Sequence, residues 1–285
     1  MKDFFDIFTV ERLFGTIFEI NIFNSIAEKL SENLFSSSGK FGPMLGAVQS
    51  CYNMVYPIAV MLIFVYFIVA MIDKVASETF TPEQAWKTFA LLLGTKVLIE
   101  HGFELIQLLF NIGLSISAQF ANLRNSGADF VVTEEQIKEL VENAKDNITF
   151  LPKFMRGFIL WIAVCPLALI PNLMNLGVSV IVYSRIIEIY LRAVYMPVAL
   201  ADVFHGGLQS GGWRALRSFL AVSLQGATIL VISIIYGQLA ASMVNRYGTT
   251  GEFWPFMGGT IAIQASALML MFKSLNLTKE VLGVA

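Results

Sequence analysis

The chain has 285 residues, 56% of them hydrophobic and only 14% charged, and its net charge is -2. Its mean hydropathy is +0.69. Soluble domains carry roughly a quarter charged residues, so this composition is that of a polytopic membrane protein, with no global basic field for nucleic acid.

The first residues, "MKDFFDIFTVERLF", alternate charge and aromatics too early for an apolar signal-peptide core, so no cleavable signal is expected. Residues 1–45 read as interfacial amphipathic helices. Val10, Leu13, Phe14, Ile17 and Phe18 form one apolar stripe, and Ile22, Ile26, Leu30 and Leu34 a second, with Glu11, Arg12, Glu28, Lys29 and Glu32 off both. A soluble helical hairpin packed on partners would show the same pattern. "SSSGKFGP" then interrupts the periodicity.

Residues 46–120 contain the first two expected transmembrane helices. Met54 to Ile72 is the cleanest span, ended by Asp73 and Lys74, because about 20 apolar residues cross a bilayer core. Trp86 to Phe120 is a longer, less pure span. On one continuous helix Lys96, Glu100, Glu104, Gln107 and Asn111 would share a polar face within about 80°, with Lys96 and Glu100 spaced for an ion pair and His101 off the stripe. Ionisable groups at that depth face protein or water. The bland role of the stripe is to glue helices together, and the sharper one is to line a wet path between subunits.

Residues 121–153 form a polar connection. A capping box of Thr133 with Gln136 and a stripe of Ile137, Leu140, Val141 and Ala144 predict an amphipathic helix within it, outside the hydrocarbon. Residues 154–285 are then a C-terminal transmembrane bundle. Phe154 to Val203 is one long apolar region interrupted by Pro166 and Pro171. It makes either two spans with a turn at Pro171-Asn172, or one long kinked helix. A glycine-rich loop near 205–213, "HGGLQSGGWRALR", ends in Arg214 and Arg217. Ser218 to Met243 and Phe256 to Phe272 are the last spans, joined by "NRYGTTGEFWP" and followed by Lys273 and Lys279. Ser233, Gly237 and Ala241 line one face of the first, and Gly258, Ala262 and Ser266 one face of the second. Such faces let helix backbones approach closely, within a chain or between subunits.

Arg185, Glu188 and Arg192 are three and four residues apart, so one helix face would hold them as an Arg–Glu–Arg group. A lone charge in the membrane costs roughly 2.5–3.5 kcal/mol on insertion scales. The spanning part is therefore expected to end near Ser184, with the charged part at the inner headgroups and Asp202 within reach of Arg214 or Arg217. A salt-bridge network fixing the hairpin, a docking surface at a channel mouth and a proton relay are the three roles such a cluster can serve.

Positive residues set orientation. Arg214, Arg217, Lys273 and Lys279 place the glycine loop and the C-terminus in the cytoplasm. Counting the remaining charges favours six spans and an inside N-terminus. No Walker loop, HExxH or GxSxG is present, the two histidines are far apart, and Cys51 and Cys165 sit in or beside apolar runs. No enzyme, cofactor or metal site is expected. No internal repeat is evident, which weakens a secondary transporter using the Lys96–Glu104 stripe and the Arg185–Arg192 cluster as coupling charges.

"YSRIIEIYLRAVYMPVALADVF", the glycine loop, "RALRSFLAVSLQGATILVISIIYG", the closing "FKSLNLTKEVLG" and the middle stretch "AMIDKVASETFTPEQAWKTFALLLG" together resemble TrbL-type conjugal transfer proteins. The resemblance covers about 50–285 and is to the version carried by conjugative elements of Gram-positive bacteria. It implies an all-α polytopic integral membrane protein of the cytoplasmic membrane with five transmembrane helices, against the six of the charge count. The N-terminus and central loop would lie outside and the C-terminus in the cytoplasm. It implies a channel or assembly-platform subunit of a type IV secretion system that helps move a DNA–protein substrate. The partners implied are further copies in a homo-oligomeric ring, other secretion subunits including cytoplasmic ATPases, membrane lipids and, transiently, DNA.

Overall fold

The structure is a computed structural model that describes residues 30, 32–77, 81–123, 139, 153–248 and 253–284. The amphipathic helices expected over 1–45 fall outside the described residues as far as position 29. The one expected within 121–153 falls outside them over 124–138 and 140–152. Every regular element among the described residues is helical. These are α1 (Gly42–Ala76), α2 (Pro82–Glu100), α3 (Gly102–Leu123), α4 (Lys153–Ala201), the short α5 (Val203–Gly206), a 3-10 turn (Gly207–Gln209), α6 (Gly211–Gly248) and α7 (Phe253–Val281). Four stretches among them are long and apolar enough to cross a membrane: Gly42–Ala76, Gly102–Leu123, Gly211–Tyr247 and Gly258–Val281.

Local chemistry explains where α2 begins. Thr81 caps α2, its hydroxyl oxygen accepting from the Gln84 amide at 3.3 Å. Pro82 takes the first helical position, where its missing N–H is no loss, and Glu83 sits against the positive helix end. On α1 the buried residues Leu45, Val48, Tyr52, Ala59 and Ile63 mark one face. Met54, Ile58, Met61, Val65, Ile68 and Ile72 are exposed at the alternating spacing of another. That exposed face is wholly apolar, and eighteen residues of rise make it about 27 Å long, close to a hydrocarbon core.

One expectation about the helices is corrected and one open alternative is decided. The stretch from Trp86 to Phe120 is not one helix: it breaks at His101 into α2 and α3. The region from 154 to 203 does not turn at Pro171-Asn172. It is the single 49-residue helix α4, about 74 Å long, which passes through both Pro166 and Pro171. A proline removes one helical hydrogen bond. A turn would strand several backbone groups where no water can take them up, so in an apolar setting the helix persists.

The chain forms two compact units. One comprises Ser31–Ser117, Tyr183–Ala227 and Leu275–Ala285, the other Met1–Leu30, Ala118–Val182 and Thr228–Ser274. In the first, Phe35 is the centre of an aromatic cluster. Its ring lies 5.9 Å from Phe103, 5.1 Å from Phe110 and 6.0 Å from Tyr190. The Tyr190 hydroxyl donates to the Leu34 carbonyl at 2.6 Å, tying the segment before α1 to α4. Phe204 packs edge-on to Phe67, with ring centres 6.4 Å apart, and so anchors the α4–α6 connection on α1. In the second unit α7 turns a buried stripe of Phe256, Thr260, Gln264, Ala267 and Met271 inward. The Gln264 and Tyr236 side chains hydrogen-bond between α7 and α6. Gly177 of α4 admits the Leu268 side chain closely enough that a Cβ there would stand 3.1 Å from it.

Candidate functional site

The break between α2 and α3 has an identifiable cause. The Tyr52 hydroxyl donates to the Ile99 carbonyl at 3.0 Å, and the Phe103 amide bonds the same hydroxyl oxygen. In an unbroken helix these two backbone groups would bond each other. A side chain inserted into the ladder is a recognised source of a helix break. Gly102 makes the insertion sterically possible, since a Cβ there would stand 2.7 Å from the Tyr52 oxygen and 3.0 Å from Leu200.

The expected polar stripe is therefore divided. Lys96 and Glu100 are exposed on α2 and form no ion pair with each other among the described residues. Glu104 pairs instead with His101, across the break, at 3.0 Å. His101 had been placed off the stripe, yet its spacing of three from Glu104 is one at which helical side chains meet. Glu104, Gln107 and Asn111 stay together on α3, where they line an open groove with Leu108, Ile112, Ser115 and Ile116. Ser115 extends the row by one more turn. Its spacing of four from Asn111 was the available signal for it.

The charged cluster also differs from its expected form. Arg185 does not join Glu188 and Arg192 in a triad. It is buried, and its Nε donates to the Val222 carbonyl at 3.2 Å and its Nη2 to the Ser223 carbonyl at 3.0 Å. Gly226 faces the guanidinium so closely that a Cβ there would stand 2.7 Å from Nη1. The planar fork matches two successive carbonyls of α6, and the bare glycine leaves room for it. Glu188 pairs with Arg192 alone, Nε to Oε1 at 3.0 Å. Arg192 also donates to the Ser218 hydroxyl on α6. That pair is half-buried at the α4–α6 seam.

Asp202 does not pair with Arg214 or Arg217, which are both exposed and have no ion-pair partner among the described residues. Its Oδ2 accepts from the Gly211 amide at 2.6 Å, capping α6. The Ser210 hydroxyl oxygen accepts from the Trp213 amide at 3.3 Å. Gly207 takes a left-handed φ of 54°, which only glycine holds without strain. The glycine-rich stretch is thus a short structured turn, and His205 lies against Tyr66 with ring centres 6.2 Å apart. Of the small-residue positions, Ala241 is buried and Gly237 half-buried, while Gly258 and Ala262 are exposed. Nothing lies within 4 Å of a Cβ built on Gly258; its neighbour Gly259 takes the contact instead, against Met243. The face of Gly258 and Ala262 is not a packing face within its unit. Three residues that decide this architecture, Tyr52, Ser218 and Ser223, carried no local signal, since each acts on a partner distant in sequence.

No group of histidines, cysteines or carboxylates able to hold a metal ion occurs among the described residues. The arrangement holds helices in register through backbone carbonyls, one half-buried ion pair and one helix cap. No curated protein and no solved structure matches the chain. Residues 44–197, from the first turn of α1 to the last turn of α4, match the TrbL/VirB6 plasmid conjugal transfer-like family. That stretch is more than half of the 285 residues, and the chain belongs to this family of conjugal transfer proteins.

Proposed function

We propose that the protein is a multi-pass subunit of the cytoplasmic membrane that builds the channel or assembly platform of a conjugative type IV secretion system, of the kind carried by Gram-positive conjugative elements. It helps a DNA–protein substrate across the membrane and performs no chemistry itself. The observation that carries this reading is the family match over α1 to α4. The long apolar helices support it. Five spans are proposed: α1, the broken α2–α3 segment, α4, α6 and α7. The N-terminus and the 121–153 connection then lie outside and the C-terminus in the cytoplasm. The continuity of α4 supports five over six. Further copies of the chain form a homo-oligomeric ring, with cytoplasmic ATPases and other secretion subunits as partners and a transient contact with DNA.

Secondary transport is the weaker reading. Arg185, one of its coupling charges, is held by two backbone carbonyls and has no carboxylate partner among the described residues. Deletion of the gene in a mating assay tests the proposal. DNA transfer falls to background if it is right, and normal transfer without the protein sinks it.

A further inference from the structure

We propose that the outward polar row of α3, formed by the exposed Glu104, Asn111 and Ser115 and the half-buried Gln107, is the wall of a water-filled path through the membrane. The inference rests on reading the chain as a multi-pass membrane subunit and goes beyond it by naming the wall.

Helix α3 has 22 residues, about 33 Å at 1.5 Å per residue, enough to cross a hydrocarbon core. Its orientation about its own axis is set by its buried face of Gly102, Ile106, Phe110, Gly113 and Ser117. Gly113 is so close to the Ser223 backbone that a Cβ would stand 2.5 Å from that carbonyl oxygen. Rotating α3 to hide the row would force Gly113 away from that backbone and pull Phe110 out of the aromatic cluster. The row lies within an arc of about 80° at 3.6 residues per turn, on the side away from the buried stripe.

The row is chemically unlike the exposed face of α1. There every outward residue from Met54 to Ile72 at that spacing is apolar and suits lipid. On α3 the row presents a carboxylate, two amides and a hydroxyl, and the exposed Leu108 and Ile112 flank it on one side. Gln107, Asn111 and Ser115 have no hydrogen-bond partner among the described residues. An amide in hydrocarbon without a partner costs several kcal/mol, about 4–8 on the strictest transfer scale. Lipid is therefore the wrong neighbour along this row. Between water and a tight protein seam, the geometry favours water. The groove is open, and the side chains at 104, 107 and 111 are long rather than small. Close helix seams in membranes are built from small residues, and the amides and hydroxyls that bridge them meet a partner group; Gln107, Asn111 and Ser115 meet none among the described residues. Glu104, paired with His101 at the first turn, stands at one end of the row. A single chain leaves the groove open on one side, and a neighbouring subunit completes the path.

The test uses the full chain in native membranes. Cys51 and Cys165 are replaced by serine, and single cysteines are introduced as Gln107→Cys, Asn111→Cys and Ser115→Cys. Met61→Cys and Ile68→Cys on the apolar face of α1 serve as lipid-facing references. A charged, membrane-impermeant thiosulfonate modifies only thiols that ionise in water, so the α3 positions react at least about tenfold faster than the references. Equal rates at the two sets overturn the proposal. So does oxidative cross-linking of Asn111→Cys between copies without labelling, which makes the row a protein seam. A mating assay on the same variants separates the two levels. Normal transfer with unlabelled α3 cysteines defeats the wet path alone, whereas normal transfer after gene deletion defeats the secretion reading and leaves the labelling result standing.

Discussion

Gly113 of α3 meets the backbone of Ser223 on α6 with nothing between them: a Cβ on residue 113 would stand 2.5 Å from the Ser223 carbonyl oxygen and 2.7 Å from its carbonyl carbon. The same carbonyl oxygen accepts from the Arg185 guanidinium. One peptide group of α6 thus fixes the approach of two other helices.

Gly113→Ala must push α3 and α6 apart, because the obstructing atoms are backbone and have no rotamer to change. Overpacking of this kind costs about 1–3 kcal/mol. Gly94→Ala is the internal comparison, since nothing lies within 4 Å of a Cβ there. In a helix interior that change stabilises by about 0.5–1 kcal/mol. Thermal unfolding of the detergent-solubilised protein should move in opposite directions for the two, and equal falls would contradict the crossing.

Arg185 has two hydrogen bonds to carbonyls and no counter-charge among the described residues. Arg185→Met keeps the apolar stem and removes the buried charge, so its stability should stay near that of the parent. Arg185→Lys keeps the charge on a point donor unable to fork across two carbonyls. It should lose about 1.5–3 kcal/mol, the worth of one charged hydrogen bond. Denaturant unfolding in mixed micelles ranks the three, and a lysine variant as stable as the parent would refute the fork.

Tyr52→Phe keeps the ring against Phe103, whose centre is 5.2 Å away, and removes the hydroxyl bridging Ile99 and Phe103. The loss is about 0.5–1.5 kcal/mol of hydrogen bonding. Hydrogen exchange should quicken at the Phe103 amide while amides in the middle of α3 hold their protection. Unchanged exchange at Phe103 would show that the hydroxyl does not maintain the break.

Asp202→Ala removes the cap on the Gly211 amide and should cost about 0.5–2 kcal/mol. Asp202→Asn retains an oxygen acceptor and should cost less. Limited proteolysis between residues 202 and 211 reads the difference, with faster cleavage for alanine than for asparagine. Equal cleavage of the two would place the restraint elsewhere, for instance in the Phe204–Phe67 contact.

Much of this architecture was legible locally. The apolar runs, the spanning stretch from Met54 to Ile72 and the polar spacing through Glu104, Gln107 and Asn111 all follow from periodicity, which depends on residues within a few positions of each other. The charge arithmetic was less faithful. Arg185, Glu188 and Arg192 have the spacing of a triad, but spacing only establishes that side chains share a face. It does not say whether a second helix offers something better. Asp202 showed the same weakness: a backbone amide at the start of α6 outcompeted two exposed arginines.

Sequence by itself determined that these segments are helices, that several are apolar enough for a membrane, and that α3 carries polar groups along one side. Those properties are set by neighbours in the chain. The tertiary structure alone decided that α2 and α3 are separate helices, because the hydroxyl that parts them comes from Tyr52, 47 positions before the carbonyl it binds. It alone decided where Arg185 discharges its hydrogen bonds. Every helical residue presents a carbonyl of the same kind, so no local pattern marks Val222 and Ser223 as acceptors until packing brings an arginine to them.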